Sequence, residues 1–112
     1  MNFDTIIRGD VIVEIVNLDR ATMREAEEFK EIIFKHIDEG FKKFVVDLNK
    51  CNFIDSTFLS TLVSAYKKIL SLEGDLKLAS VHDELRSLME LTGTRKVFKI
   101  YSSTNNAIRS YD

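Results

Sequence analysis

Lys43-Phe44-Val45-Val46-Asp47-Leu48, followed five residues later by Phe53-Ile54-Asp55-Ser56-Thr57-Phe58-Leu59, sets a continuous apolar run ahead of a helix start. The first stretch reads as a strand buried on both faces, because it is short, β-branched and barely alternates. Beyond the second stretch, Leu59, Leu62, Val63, Tyr66, Ile69 and Leu70 recur at helical spacing and form one apolar face of a helix ending near Gly74. The loop between strand and helix delivers Ser56 to the start of that helix. The amides of a first helical turn are unpaired and the dipole's positive end lies there, so the position suits an anion. A serine there is a candidate phosphorylation switch.

Working outward, Thr5-Ile6-Ile7 and Val11-Ile12-Val13-Glu14-Ile15-Val16 are β-branched runs separated by Arg8-Gly9-Asp10, which reads as a hairpin turn. Thr22-Met23-Arg24-Glu25 has the form of a capping box, and Ala26, Phe29, Ile33 and Ile37 follow at helical spacing up to Gly40. The charge run Arg24 to Glu28 is the solvated face of this helix. Downstream, Leu76 to Val81 reads as a strand, Asp83 to Leu91 as a helix closed at Gly93, Val97 to Tyr101 as a last strand and Asn105 to Ser110 as a terminal helix. A hairpin followed by alternating strands and helices predicts an α/β fold, a mixed and mainly parallel sheet packed with about four helices. In such sheets sites gather at the carboxyl ends of the strands, which should bring together Asn17-Leu18-Asp19, Asn49 to Ser56 and Val81-His82-Asp83.

The 112 residues suit one domain spanning 1–112, with a core that needs no disulfide or structural metal. A net charge of −2 with interspersed acids and bases gives neither a nucleic-acid footprint nor a polybasic membrane patch. Apolar runs are far below the roughly 20 residues of a membrane span, and no targeting signal is visible. The lone Cys51 fits a reducing cytoplasm and reads as a small loop or core residue. His36, among Lys35 and Asp38, reads as a solvated surface residue, and no metal pattern, P-loop or dinucleotide fingerprint occurs, so no cofactor is expected.

The order of these elements, with Asn17-Leu18-Asp19 after the second strand, Asp55-Ser56-Thr57-Phe58-Leu59 opening the second helix and Leu91-Thr92-Gly93 before Val97-Phe98-Lys99-Ile100, resembles a STAS domain over essentially the whole chain. More narrowly it resembles a bacterial anti-sigma factor antagonist, whose motif Asp-Ser-Ser/Thr-Gly-Leu opens the same helix. The resemblance implies a cytoplasmic partner-switching protein, a monomer or weak dimer, that regulates transcription without touching nucleic acid or membrane. It implies that a serine protein kinase, itself the anti-sigma factor, phosphorylates Ser56, with Thr57 the alternative acceptor. Unphosphorylated, the domain would bind that partner and free a sigma factor, through Asp19, Asp55, Ser56, Thr57 and Phe58. The other reading the resemblance allows is a phosphorylation-independent adaptor subunit of a signalling or transport assembly.

Two positions depart from the motif: Phe58 stands where the family has glycine, and Ser60 where a second glycine is often found. Phe58 is either an apolar anchor for a partner or an extension of the core, since it falls near Leu62, Ala65 and Ile69 on the helical wheel. Taken alone, Asp55 or Ser56 could simply cap the second helix. Asp19 could support the first helix's dipole as readily as contact a partner. An enzyme would need Ser56, His82 and Asp83 in mutual reach, but the sequence offers no Gly-x-Ser-x-Gly elbow and His82 precedes Asp83 directly. A binding protein, not a catalyst, is the expectation.

Overall fold

The computed structural model describes residues 1–112. Strands β1 (Phe3–Arg8) and β2 (Val11–Val16) form the expected antiparallel hairpin across Gly9-Asp10, where Gly9 takes a φ of 63° that the tight turn requires. Strands β4 (Lys43–Asp47), β6 (Asp75–Ala79) and β7 (Lys99–Tyr101) add in parallel, giving a five-stranded mixed sheet of order β1-β2-β4-β6-β7. Two strands of two residues each, β3 (Arg20–Ala21) and β5 (Phe53–Ile54), pair in parallel as a separate ribbon. With helices α1 (Met23–Asp38), α2 (Ser56–Ser71), α3 (Asp83–Leu91) and α4 (Thr104–Arg109), the fold is α/β.

The main core lies on one face of the sheet, where Phe29 and Ile33 of α1, Leu62 and Ile69 of α2 and Leu85 of α3 meet Ile12, Phe44, Val46 and Leu78. Helix α4 covers part of the opposite face, placing Ala107 against Val45 and Ala79. This second layer is fastened by Tyr111, whose hydroxyl lies 2.8 and 2.9 Å from the Phe44 and Asp75 carbonyls and shares its single proton between them. Lys77, buried in β6, lies 3.8 Å from the Tyr111 ring centroid and donates to Ser110 Oγ, so its ammonium is taken from water only with partners in place.

Several boundaries and faces differ from the reading above. His36 is buried, with Nδ1 2.8 Å from the Ile32 carbonyl and its ring 6.0 Å from that of Phe41, because the last turn of α1 rolls that position under the following loop. Leu70 stays exposed, since the buried stripe of α2 runs through Ala65 and Ile69 instead. Helix α2 ends before Gly74, and the left-handed position falls on Glu73, with a φ of 65°. Gly74 answers a different need, because a Cβ there would stand 2.3 Å from the Lys42 carbonyl. The last strand is shorter than expected: a 3-10 turn at Thr94–Lys96 precedes it and Val97 is helical in backbone, so pairing begins at Lys99.

One buried group runs against the apolar pattern. Glu14 lies on the helix-facing side of β2 between Ile12 and Val16 and has no exposed surface. It accepts one hydrogen bond, from Thr5 Oγ1 at 2.6 Å, and its second carboxyl oxygen has no partner. Burial raises its pKa from 4.5 to about 7. The folded state therefore binds a proton between those values that the unfolded chain has released, so stability falls as pH rises from about 4.5 to 7 and then levels. Glu14→Gln, which keeps the Thr5 bond, should flatten that slope and exceed the wild type by about 2–3 kcal/mol at pH ~8, measured by urea denaturation at both ends of the range. An unchanged slope in the variant would show that Glu14 is not its source.

Candidate functional site

At the carboxyl edge of the parallel strands, three segments converge as the topology requires. The Asn52 amide donates to the Asp19 carbonyl at 2.8 Å and its Nδ2 to Asp19 Oδ1 at 2.8 Å. Lys50 Nζ donates to Asn17 Oδ1 at 3.3 Å, and the His82 ring bonds the Asn49 carbonyl through Nε2. Segments 17–19, 49–56 and 81–83 are therefore one continuous rim. The β3–β5 ribbon lies within it, with Arg20 stacked 4.1 Å over the Phe53 ring.

Asp55 organises this rim. Its Oδ1 accepts from the Phe58 amide at 2.8 Å and so caps α2, while Oδ2 accepts from the Met23 amide at 2.9 Å, in the first turn of α1. Its own amide donates to the Ala21 carbonyl at 3.1 Å. One carboxylate thus satisfies amides at the starts of two helices, and the positive ends of both dipoles favour its charge. Thr22 and Glu25 complete the neighbouring start, the Thr22 hydroxyl accepting from the Arg24 amide and Glu25 Oε1 from the Thr22 amide, which is the capping box expected from the sequence.

Ser56 is the first residue of α2 and is exposed. Its hydroxyl makes no hydrogen bond within the protein, and the amides of Ser56 and Thr57 are likewise uncommitted, because the first helical bond begins at Leu59, donating to the Asp55 carbonyl. Two amides and a free hydroxyl therefore point outward at a helix start. Ser56 also opens onto a groove of about 430 Å³ running along α2, lined by Leu59, Ser60, Val63, Ser64, Thr92 and Thr94. Thr57 is exposed but does not line this groove.

Phe58 is turned the other way. It has no exposed surface, and its ring packs 5.0 Å from that of Phe29 and 6.3 Å from that of Phe3, so it extends the core and offers a partner no side-chain contact. The third residue of α2 faces inward, which turns the departure from glycine into an aromatic cluster joining β1, α1 and α2. Asp19 is likewise not part of a helix start. It precedes β3 and lines a second cleft of about 570 Å³ with Arg20, Asn52, Phe53, Glu84, Ser87, Leu88 and Leu91.

The matching family model is that of the STAS domain, over residues 6–107. The chain belongs to the STAS domain family. A protein of Thermotoga maritima provisionally named an anti-sigma factor antagonist is 27% identical over 103 residues, covering 91% of this chain and 90% of its own. A crystal structure of such a protein from the same organism superposes with a TM-score of 0.86 at 26% identity, covering 96% of this STAS domain and 92% of the other chain. The Bacillus cell fate determinant SpoIIAA, solved in its phosphorylated form, shares the fold at 13% identity, with a TM-score of 0.77 and coverage of 98% and 99%.

Within this STAS domain the Ser56, His82 and Asp83 arrangement is not assembled, because His82 is engaged by the Asn49 carbonyl and the Ser56 hydroxyl has no partner. Cys51 is fully buried, donates to the Phe53 carbonyl, and has its thiol pKa pushed up by burial. No group of three His, Cys, Asp or Glu side chains is placed to hold a metal ion. The two-helix role of Asp55 and the β3–β5 ribbon are not visible in the sequence. The aspartate before Ser56 announces one cap, while the second amide it serves lies 32 residues away in sequence.

Replacing Asp55 by Ala should destabilise the domain by about 2–3 kcal/mol, the sum of a lost cap and a lost charged hydrogen bond to Met23. Asn, which retains one good acceptor oxygen, should recover about half of that loss. Chemical denaturation of the three proteins checks both values, and a loss below about 0.5 kcal/mol in the alanine variant would contradict the bridging role.

Proposed function

We propose that this STAS domain is an anti-sigma factor antagonist controlled by phosphorylation of Ser56: unphosphorylated, it sequesters an anti-sigma factor that is also a serine kinase, and so frees a sigma factor. The observation that carries the reading is the free Ser56 hydroxyl beside two uncommitted amides at the start of a helix whose cap is already made by Asp55. Capping and modification fall on neighbouring residues, so the two roles do not compete. The anti-sigma antagonist names of the Thermotoga relatives point the same way.

A phosphate on Ser56 adds about −1.5 to −2 charge with three strong acceptor oxygens. The Ser56 and Thr57 amides can receive one of them, leaving the helix intact. The added charge sits next to Asp55 on the rim that also carries Asp19 and Asp83, so a partner surface fitted to the neutral hydroxyl is repelled. Like-charge juxtaposition at an interface costs several kcal/mol, and each ~1.4 kcal/mol is tenfold, so one phosphate weakens such a complex by about a hundredfold or more. The partner footprint consistent with this chemistry is Ser56 with the neighbouring Thr57 and the groove along α2, together with Asp19 in the separate cleft on the same rim, Asp55 acting as the support beneath. Ser56, which opens on the groove, is the acceptor favoured over Thr57.

Incubation with ATP and the serine kinase that acts as the partner anti-sigma factor should add the mass of one phosphate. Ser56→Ala should abolish the increment, and Thr57→Ala should retain it. A kinase that is active on another substrate yet leaves the wild-type mass unchanged, or a phosphate retained in Ser56→Ala, would overturn the assignment.

A further inference from the structure

The outer strand of the sheet is left unpaired in a way that suits one particular partner. Strand β1 pairs only with β2, and five of its six residues are exposed, including Ile6 at 39% and Ile7 at 56%. The Asn17 amide donates to the Asn2 carbonyl, which fixes the phase of the hairpin: in its register Asp4, Ile6 and Arg8 direct their backbone groups toward β2. The amides and carbonyls of Thr5 and Ile7 therefore point out of the sheet. Proteins usually blunt such an edge with charged side chains, lysine above all, with proline or with a bulge; Phe3-Asp4-Thr5-Ile6-Ile7-Arg8 has no lysine, proline or bulge, and its two charges, Asp4 and Arg8, are of opposite sign.

We propose that β1 is a homodimer interface, in which two copies of this chain pair their β1 strands antiparallel about a two-fold axis through Ile6. In that register Thr5 of one copy lies opposite Ile7 of the other, and their outward groups exchange four backbone hydrogen bonds across the two-fold. The intervening non-hydrogen-bonded pairs, whose side chains are closest, set Asp4 against Arg8 twice and Ile6 against itself. Both charges have capacity to spare: Arg8 makes no ion pair within the chain, and Asp4 uses only Oδ2, accepting from Asn17 Nδ2 at 2.6 Å. Neighbouring registers lose this match. An axis through Thr5 sets Asp4 against Ile6, and one through Ile7 sets Arg8 against Ile6 and Asp4 against Asp10. Charge complementarity thus selects a single isologous register, the form a closed two-fold dimer demands.

The pairing also covers Ile6, which stands beside Val13 on the face that α4 leaves partly open. Joining two sheets in this way makes one continuous ten-stranded sheet from two of five. An interface of one short strand falls below about 1,200 Å² and belongs to the weak, concentration-dependent class.

Sedimentation equilibrium over a wide concentration series should show reversible monomer–dimer exchange for the full chain. Arg8→Asp, which sets two carboxylates against each other on both sides of the axis, should raise the dimer dissociation constant by at least about tenfold. Asp4→Arg combined with Arg8→Asp restores opposite pairs and should return it toward the wild-type value, with circular dichroism confirming the hairpin in each variant. A wild type that stays monomeric throughout, an Arg8→Asp protein that dimerises as before, or a folded double variant without rescue would each overturn the proposal.

Discussion

The rim of this domain depends on the carboxylate of Asp55. Its two oxygens accept amides from the first turns of α2 and α1, at 2.8 and 2.9 Å, and its own amide is held by Ala21 in the β3–β5 ribbon. Two helix starts, each with unpaired amides and a positive dipole end, would otherwise lie side by side and repel. A single negative group between them neutralises both. The starting point of α2 is thereby fixed against α1, and with it the position of Ser56, the next residue along. A hydroxyl held this way is presented on a prepared surface.

Beneath that surface the aromatic cluster of Phe3, Phe29 and Phe58 ties the same elements by packing, with ring centroids 5.0 to 6.3 Å apart. Electrostatic pinning at the rim and apolar packing below it act on α1 and α2 together, so a charge added at Ser56 meets a platform that has little freedom to relax. This is why the proposed switch works through repulsion at the surface and not through unfolding. It also explains how the chain tolerates phenylalanine at a position where the family motif has glycine: the side chain enters the core, and the exposed side of the turn is left to Ser56 and Thr57.

Most of the architecture is legible in the sequence because its signals are local. The hairpin around Gly9-Asp10, the capping box at Thr22 and the apolar spacing of α2 each announce an element, and their order implies the mainly parallel sheet. What escapes the sequence is set by contacts between distant residues. Two-residue strands such as β3 and β5 carry no periodicity, and Tyr111 shows no sign in sequence that it clasps Phe44. His36 looks solvated because its polar neighbours hide the roll of the helix end, and Leu70 looks buried because an apolar residue one position off the stripe resembles part of it. At the site, the aspartate, the serine and the shared edge are legible. The second helix served by Asp55, the inward turn of Phe58 and the place of Asp19 in a loop braced by Asn52 require the fold.

The central claim is that Ser56 is a charge switch on a platform that stays folded. It is tested most directly on protein fully phosphorylated at Ser56, by calorimetric titration with the anti-sigma partner alongside its thermal midpoint. The account predicts affinity weakened by about a hundredfold or more with the midpoint moved by less than about 2 °C. Equal affinity for both forms, or a loss of binding accompanied by collapse of the midpoint, would contradict it.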